Sequence, residues 1–303
     1  MKKIQFTLFI LLVASSVFSQ DKLHNTASKE LKEGYDYYYK GISPLLFAIR
    51  NNYSDSAKAL IDKKVGINEL DRKGDSPLMY ALNFNQPDIA QLLIDNGAKI
   101  NIVGLDNWTP LALAISNKHT SVAENLISLG ADVNIRIDDR SITPLMMAIG
   151  NQQPELTSLL IRKGANINLS DSDGWTPLMY AIKFDQLQSV NLLIETGAKI
   201  NQVNEYNWSE LTFAVRNNKY DISKKLLDIG SDVSIRDTDN WTLLMFAGQY
   251  STALMTELLI NKGAITDYSS KDYKRTLKAI KGNPEKDEIE KLIMSQMKKN
   301  GNN

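Results

Sequence analysis

The sequence repeats itself every 33 residues, and this period constrains the fold more than any other feature. A Ser or Thr that opens a motif with Leu two positions later stands at 43, 76, 109, 143, 176, 209 and 242, so one interval is 34 residues and the others are 33. A second motif, Gly-Ala-x-Ile/Val-Asn, keeps the same phase at 97, 130, 164 and 197. Periods of about 20 to 50 residues indicate stacked repeat architectures. We therefore expect one repeat array rather than the two globular domains that the length alone would suggest.

Each repeat carries the signals of two short helices. Ser or Thr followed by Pro starts a helix, because the hydroxyl accepts from a free N–H and Pro fixes φ in the first turn. A second start lies eleven residues later and is marked by Pro87 and Pro154 in two repeats. The Gly of the second motif is a left-handed helix stop. The predicted unit is helix–turn–helix with a projecting hairpin loop, and it must stack on neighbours to bury its apolar face.

This pattern resembles the ankyrin repeat, whose unit has about 33 residues and the sequence T-P-L-H-x-A. Residues 76–81 (SPLMYA) and 176–181 (TPLMYA) carry the resemblance, which covers roughly residues 37–295 with seven units and a degraded eighth from about Arg275. The resemblance implies an all-α ankyrin-repeat solenoid with short projecting β-hairpin loops, and a protein-binding role. The His of the family motif is replaced in every unit, by Leu46, Met79, Ala112, Met146, Met179, Thr212 and Met245. We expect this position to pack apolar surface, with Met as an adaptable filler.

The first 19 residues predict a cleaved secretory signal peptide of bacterial type. Lys2 and Lys3 precede an apolar run over 4–13, and Val17-Phe18-Ser19 fits a small-x-small cleavage rule. The run is shorter than the ~20 residues that a membrane-spanning helix needs, so a membrane anchor is the disfavoured alternative. Cleavage after Ser19 would remove two of the 35 basic residues and none of the 35 acidic ones, which changes the net charge from zero to −2. We expect a periplasmic or secreted protein.

Behind the signal peptide we expect three further segments: an exposed leader over 20–34, the repeat array with its degenerate C-terminal cap over 35–297, and a disordered tail over 298–303. The cap's second helix is predicted from Lys286 to Lys299, with Ile289, Leu292 and Ile293 on its apolar side. The one extra residue of the 34-residue interval is expected to lengthen the hairpin tip at 137–140 and to leave the helices undisturbed.

Composition excludes much catalytic chemistry. The chain has no Cys and only two His, His24 and His119, which removes disulfides, thiolate metal sites, a Cys nucleophile and a multi-His metal site. Balanced charge argues against a nucleic-acid binder. Asp171-Ser172-Asp173-Gly174 resembles the start of a calcium loop but lacks the downstream Glu, so we expect an ordinary hairpin tip. We therefore expect no cofactor, no metal and no catalytic residue, and a structural role for His119.

The most informative residues are aromatic. The four Trp of the chain occupy one repeat position, directly before the Ser or Thr that opens each unit: Trp108, Trp175, Trp208 and Trp241. A second position, at the end of the first helix, holds Phe84, Phe184 and Tyr250, with Arg216 at its side and Tyr206 near a hairpin tip. The family resemblance places both positions on the concave groove. Trp, Tyr and Arg dominate interface hot spots, so we predict that these nine residues bind a partner protein; Trp as a packing residue of the scaffold is the open alternative.

Acidic side chains accompany these rings on the predicted hairpin tips and suggest a negative groove edge: Asp106, Asp171, Asp173, Glu205, Asp237 and Asp239. The leading prediction is a non-enzymatic, exported protein-binding module, acting as an inhibitor or accessory factor of a periplasmic enzyme. We expect a monomer with another protein as its partner, with no nucleic acid bound and no membrane contact after signal cleavage. Two alternatives stay open: a secreted factor acting on proteins of another cell, and an enzyme with its site in the degenerate ends or the extra loop.

Overall fold

The computed structural model describes residues 42–264 and 270–299, so the predicted signal peptide, the leader and the last four residues lie outside the described residues. Within the described ranges there are sixteen α-helices, and an isolated antiparallel β-bridge joins Arg236 and Thr242. The predicted all-α class is confirmed. Contacts divide the chain into a first unit that ends at Asp139 and a second unit that begins at Arg140, and each is described by itself.

The first unit contains three helix–turn–helix repeats. Its helices are α1 (Pro44–Arg50), α2 (Ser54–Asp62), α3 (Pro77–Asn83), α4 (Pro87–Asp95), α5 (Pro110–Ser116) and α6 (Thr120–Ser128), with a 3₁₀ turn at Leu105–Asn107. The second unit contains five repeats. Its helices are α7 (Pro144–Gly150), α8 (Pro154–Arg162), α9 (Pro177–Lys183), α10 (Leu187–Glu195), α11 (Glu210–Arg216), α12 (Tyr220–Asp228), α13 (Leu243–Tyr250), α14 (Ala253–Asn261), α15 (Ser270–Ile280) and α16 (Lys286–Lys299).

The first helix of each of the seven matched repeats starts where the Ser/Thr motif predicts. In every case the hydroxyl oxygen accepts the N–H of the residue three positions on, at 3.2–3.3 Å. The capping residues are Ser43, Ser76, Thr109, Thr143, Thr176, Ser209 and Thr242. The N–H donor is the residue that replaces the family's His, and it is at most 2% exposed in all seven repeats. Six of these side chains are apolar, as expected. In the remaining repeat the hydroxyl oxygen of Thr212 accepts the Ser209 N–H, which completes a capping box.

Polar side chains at the turn between the two helices join successive repeats. Gln86 donates from Nε2 to the Ile49 carbonyl at 2.6 Å, and Asn283 donates from Nδ2 to the Gly248 carbonyl at 2.8 Å. His119 occupies the same position, is 8% exposed, and places Nε2 3.2 Å from the Leu82 carbonyl oxygen. Each of these bonds ties the turn of one repeat to a carbonyl near the end of the first helix of the preceding repeat. His119 therefore has the structural role that the sequence predicts.

The Asn of the second motif and its counterpart in the first repeat form another set of joints. Its Oδ1 accepts the backbone N–H of the residue 31 positions later, at 2.7–3.0 Å. The acceptors are Asn68, Asn101, Asn168 and Asn201. Each of these side chains forms a hydrogen bond to the loop of the next repeat, always 31 residues later, and so fixes the spacing of the repeats within a unit. This bond explains why Asn recurs in the second motif.

The C-terminal repeat closes the second unit with a half-polar helix pair. Ile289 and Ile293 of α16 are fully buried and pack with Ile280 and Ala253, while Leu292 is partly buried against the same cluster. Lys286, Asp287, Glu288 and Lys291 are exposed on the other side of α16, and a polar outer face is what a terminal repeat requires. The helix continues to Lys299.

Candidate protein-binding surface

A single buried acid organises the hairpin loop in front of α9. The Asp171 Oδ1 accepts the N–H groups of Asp173 and Trp175 at 3.0 and 2.8 Å, and its Oδ2 accepts the Tyr180 hydroxyl at 2.7 Å. Burial, followed by this hydrogen bond, raises the pKa of Tyr180 well above its usual range. The Asp171 carboxylate is 7% exposed and shapes the turn, and no group of three or more His, Asp or Glu within the described ranges could hold a metal ion.

Buried Phe rings connect the Trp rings of the second unit. The Trp175 and Phe213 ring centroids lie 4.3 Å apart, and Trp208 lies 5.2 Å from Phe213 and 5.7 Å from Phe246. Trp241 lies 5.3 Å from Phe246. Each Phe thus contacts a Trp on both of its sides, and the three Trp belong to one continuous packing unit.

Three further contacts complete a connected set of eight rings, which we call the aromatic row. Tyr180 lies 5.7 Å from Trp175 and 6.2 Å from Phe184, and Phe246 lies 6.4 Å from Tyr250. The row consists of Trp175, Tyr180, Phe184, Trp208, Phe213, Trp241, Phe246 and Tyr250. Tyr206 adds to its edge at 5.8 Å from Trp208. The row is confined to three successive repeats.

The rings of the aromatic row divide into a buried base and an open side. Phe213 and Phe246 are 3% and 4% exposed, whereas Tyr250 and the adjoining Tyr206 are 45% and 49% exposed. All three Trp of the row are half-buried. One portion of each Trp ring therefore packs on the scaffold and the rest is exposed, and binding of a partner by these rings stays a prediction.

Two cations lie on the faces of these rings. The Lys183 Nζ is 4.4 Å from the Trp175 centroid, and the Arg216 guanidinium carbon is 5.0 and 5.1 Å from the Trp208 and Tyr250 centroids. The ion pairs of the described residues involve other groups, so neither cation has a carboxylate partner within these ranges. A cation above an aromatic face is held in place while its remaining donors stay free.

Tyr180, Phe213 and Phe246 are the residues of this surface that the sequence analysis missed. They occupy the fifth position counted from the capping residue, and they recur at the 33-residue period. A comparison of this fifth position across the repeats would have found them. The position holds Leu113 and Met147 in the third and fourth repeats and an aromatic residue in the next three.

The predicted residues of the first unit are not among the rings of the aromatic row. Trp108 is half-buried, and no described aromatic ring is paired with it; Leu113 stands where Phe213 would supply one. Phe84 is 45% exposed and its ring lies 5.7 Å from Tyr80. Asp75 stands where Trp175 stands in the second unit, beside a cleft of about 390 Å³. The nine predicted residues thus fall into two sets, seven in or beside the aromatic row and two in the first unit.

The predicted acidic edge is smaller than the sequence suggests. Asp171 is buried, and Asp237 accepts the Trp241 N–H at 2.7 Å and the Trp208 Nε1–H at 3.3 Å. In the second unit the exposed tip acids are Asp173, Glu205 and Asp239.

A buried acid, Glu210, opens α11 where five of the first helices carry Pro. Glu210 is 0% exposed, its Oε2 accepts the Asn201 N–H at 3.1 Å, and its Oε1 has no hydrogen-bond partner among the described residues. Burial raises the pKa of Glu210 to about 7, since a charged carboxylate loses solvation there. This acid lies next in the chain to the capping Ser209.

No helix within the described residues is long and apolar enough to cross a membrane. A family model of ankyrin repeats matches the chain over residues 11–104, 45–137 and 136–204. A search of the curated proteins gave no match.

Three solved structures are similar to the chain. One is the human ASB11 ankyrin repeat domain, at a TM-score of 0.60 and 24% identity over 73% of this chain and 97% of that chain. Another is the ankyrin repeat domain of Bcl-3, at a TM-score of 0.59 and 23% identity over 73% and 99%. The third is a chain of the Bd0816 predatory endopeptidase from Bdellovibrio bacteriovorus in complex with the immunity protein Bd3460, at a TM-score of 0.55 and 27% identity over 62% and 99%. The ankyrin fold is confirmed, and repeats of this family are protein-binding modules.

Proposed function

Because this chain belongs to the ankyrin-repeat family, we propose that it is an exported, non-enzymatic binding module that engages one partner protein through the aromatic row of its second unit. The partner is a periplasmic enzyme, and the chain serves as its inhibitor or accessory factor. The nine residues predicted from the sequence remain the predicted binding residues, and the aromatic row is the centre of the proposed contact.

The connected row of rings is the observation that carries the proposal. A single exposed aromatic side chain is common on any surface, but eight rings in mutual contact over three repeats form an extended apolar patch. Their buried bases hold them rigid, so binding would cost little side-chain entropy. Hot spots are enriched in Trp, Tyr and Arg, which are the residues found here.

The choice of an enzyme as the partner rests on one similar structure. That structure is described as a predatory endopeptidase in complex with an immunity protein, and one of its chains has this fold at 27% identity. The export signal predicted over residues 1–19 directs the proposal to the periplasm. A chain that meets hydrolytic enzymes in that compartment would protect or regulate them by occupying their surfaces.

The proposal is tested by capture of partners from a periplasmic extract on the immobilised mature chain. The triple variant Phe184→Ser, Tyr206→Ser, Tyr250→Ser removes apolar surface from the open side of the row without opening its buried base. A matched control replaces exposed apolar residues at the ends of second helices, Leu129→Ser and Ile229→Ser, which are 55% and 42% exposed. We expect the wild type and the control to capture the same protein, identified by mass spectrometry, and the triple variant to lose it.

Equal capture by the triple variant and the control would contradict the assignment of the row. Inhibition or activation of the captured enzyme by the purified chain then tests the regulatory role. Fractionation tests the compartment: recovery of the native protein from the medium and not from the periplasm would favour a secreted factor that acts on another cell.

A further inference from the structure

The two cations on the aromatic row point to the chemistry of the partner. Lys183 is exposed at the end of α9, and Arg216 is half-buried at the end of α11, one repeat later. Both are oriented by ring faces and neither is neutralised by a carboxylate among the described residues. Positively charged donors that are fixed in direction and left unpaired favour an anionic ligand.

Acidic side chains are exposed on the hairpin side of the row. Asp173, Glu205 and Asp239 are exposed on the hairpin tips, close in sequence to the three Trp of the row. The surface therefore has cations at the helix ends, rings in the middle and carboxylates at the tips. A ligand with acidic groups would be drawn to the helix side and repelled from the tip side, which fixes its orientation.

The spacing of the cations limits the shape of the ligand. α9 and α11 are in contact, and packed helices lie about 8–10 Å apart, so equivalent positions on them have about that separation. An extended or polyproline-type chain advances about 3.1–3.3 Å per residue, so its residues i and i+3 lie about 9–10 Å apart. A polyproline-type helix has about three residues per turn, which places i and i+3 on the same side.

We propose that the aromatic row binds a polyproline-type segment of the partner protein in which two acidic residues three positions apart meet Lys183 and Arg216. The residues between the acids, Pro or other apolar types, lie against the parts of the half-buried Trp175 and Trp208 rings that Lys183 and Arg216 leave exposed. The inference rests on the proposed function and specifies the partner segment of that same surface.

The test uses two synthetic peptides and the fluorescence of the mature chain. Three of the four Trp of the protein belong to the row, so Trp emission reports directly on its occupation. The acidic peptide is acetyl-Pro-Pro-Glu-Pro-Pro-Glu-Pro-Pro-amide, and the control peptide carries Gln in place of both Glu. We expect the acidic peptide to bind at least about tenfold more tightly at low salt, with the difference shrinking as salt screens the charges.

Variants assign the difference to the two cations. The double variant Lys183→Gln, Arg216→Gln should bind both peptides equally. Arg50→Gln, an exposed cation at the same repeat position in the first unit, is the matched control and should keep the preference.

Three results would overturn the inference: equal affinity of the two peptides for the wild type, no binding of the acidic peptide up to about 1 mM, or an acidic preference that survives in the double variant. Tight binding of a single-stranded oligonucleotide in place of the peptide would assign the cations to nucleic acid instead. A dimer that the double variant abolishes would assign them to a second copy of the chain. If the double variant still captures the partner that the Phe184, Tyr206, Tyr250 triple variant loses, this inference fails while the proposed function stands.

Discussion

Two repeats, one in each unit, have almost the same sequence and different surfaces. Residues 76–84 (SPLMYALNF) and 176–184 (TPLMYAIKF) build the same first helix, and both hairpins are tied to it by the same hydrogen bond. Tyr80 donates to Asp71 at 2.8 Å, and Tyr180 donates to Asp171 at 2.7 Å. The scaffold is therefore common to both repeats, and the difference between them lies in the residues placed on it.

The difference comes from two columns of side chains. Asp75 and Asn83 in the first unit correspond to Trp175 and Lys183 in the second. The following repeat supplies Leu113 in one case and Phe213 in the other, so only the second unit can extend ring contacts from one repeat to the next. A stacked array can thus confine a binding surface to some of its repeats while all of them keep the same fold.

The largest expected effect separates the two Trp environments. Trp208→Ala should lower the free energy of unfolding by about 3 to 4 kcal/mol, because it removes contacts with Phe213 and Phe246 and the bond from Nε1 to Asp237. Trp108→Ala, without a ring partner among the described residues, should cost about 1 to 2 kcal/mol. Urea unfolding followed by circular dichroism measures both. Equal losses would mean that the ring contacts add nothing to the burial of a single Trp.

The next effect is a pH dependence that the second unit has and the first lacks at the same position. The first helices of the first unit all begin with Pro, whereas α11 begins with the buried Glu210. Its pKa is raised from 4.5 to about 7, so the folded state holds the proton more strongly than the unfolded state. The contribution of this group to stability is therefore fully present below pH 4.5 and is lost as pH rises through 7, by about 3 kcal/mol in total.

Glu210→Gln should remove that decline, since the amide does not ionise. The measurement is the free energy of unfolding of both proteins between pH 4 and pH 8, and the quantity of interest is their difference. A difference that stays constant across this range would show that Glu210 is solvated or paired in solution.

Removal of one hydroxyl should distinguish the two matched hairpins. Tyr180→Phe leaves the Oδ2 of Asp171, a carboxylate that is 7% exposed, without its donor, and should cost about 2 kcal/mol. Tyr80→Phe should cost less than about 1 kcal/mol, because Asp71 is only half-buried and water can replace the hydroxyl. The two variants can be compared by thermal or urea unfolding. A larger loss for Tyr80→Phe would reverse the order of burial inferred for the two hairpins.

The sequence alone was sufficient for the fold because the signals of a repeat are local. A Ser or Thr cap before Pro and a Gly after the second helix act within a few residues, and the 33-residue period repeats them often enough to be unmistakable. The four Trp were found by the same period. Whether each ring would be isolated or part of a row depends on a residue 38 positions away, as for Trp175 and Phe213.

Two features could not be found by the rules that found the helices. Phe213 and Phe246 look like ordinary core residues of a first helix, and only the packing of successive repeats places them between Trp rings. Glu210 looks like an exposed first-turn acid, a common and favourable residue at a helix N-terminus. Its burial is a property of the neighbouring loop at Asn201, which no local pattern reports.

The smallest expected effect tests whether the hydrogen bond between Asp171 and Tyr180 can be rebuilt in the next repeat. Asn204 and Phe213 occupy the places of Asp171 and Tyr180, and the buried Nδ2 of Asn204 has no hydrogen-bond partner among the described residues. Asn204→Asp alone should destabilise by about 1 to 2 kcal/mol, because it buries a carboxylate without a hydroxyl donor. With Phe213→Tyr added, the new hydroxyl can donate to that carboxylate, and the double variant should return to within about 1 kcal/mol of the wild type. A double-mutant cycle measures the coupling, expected at about 1 kcal/mol or more. Additive effects would mean that the rings around position 213 hold it too far from the hairpin for this hydrogen bond to form.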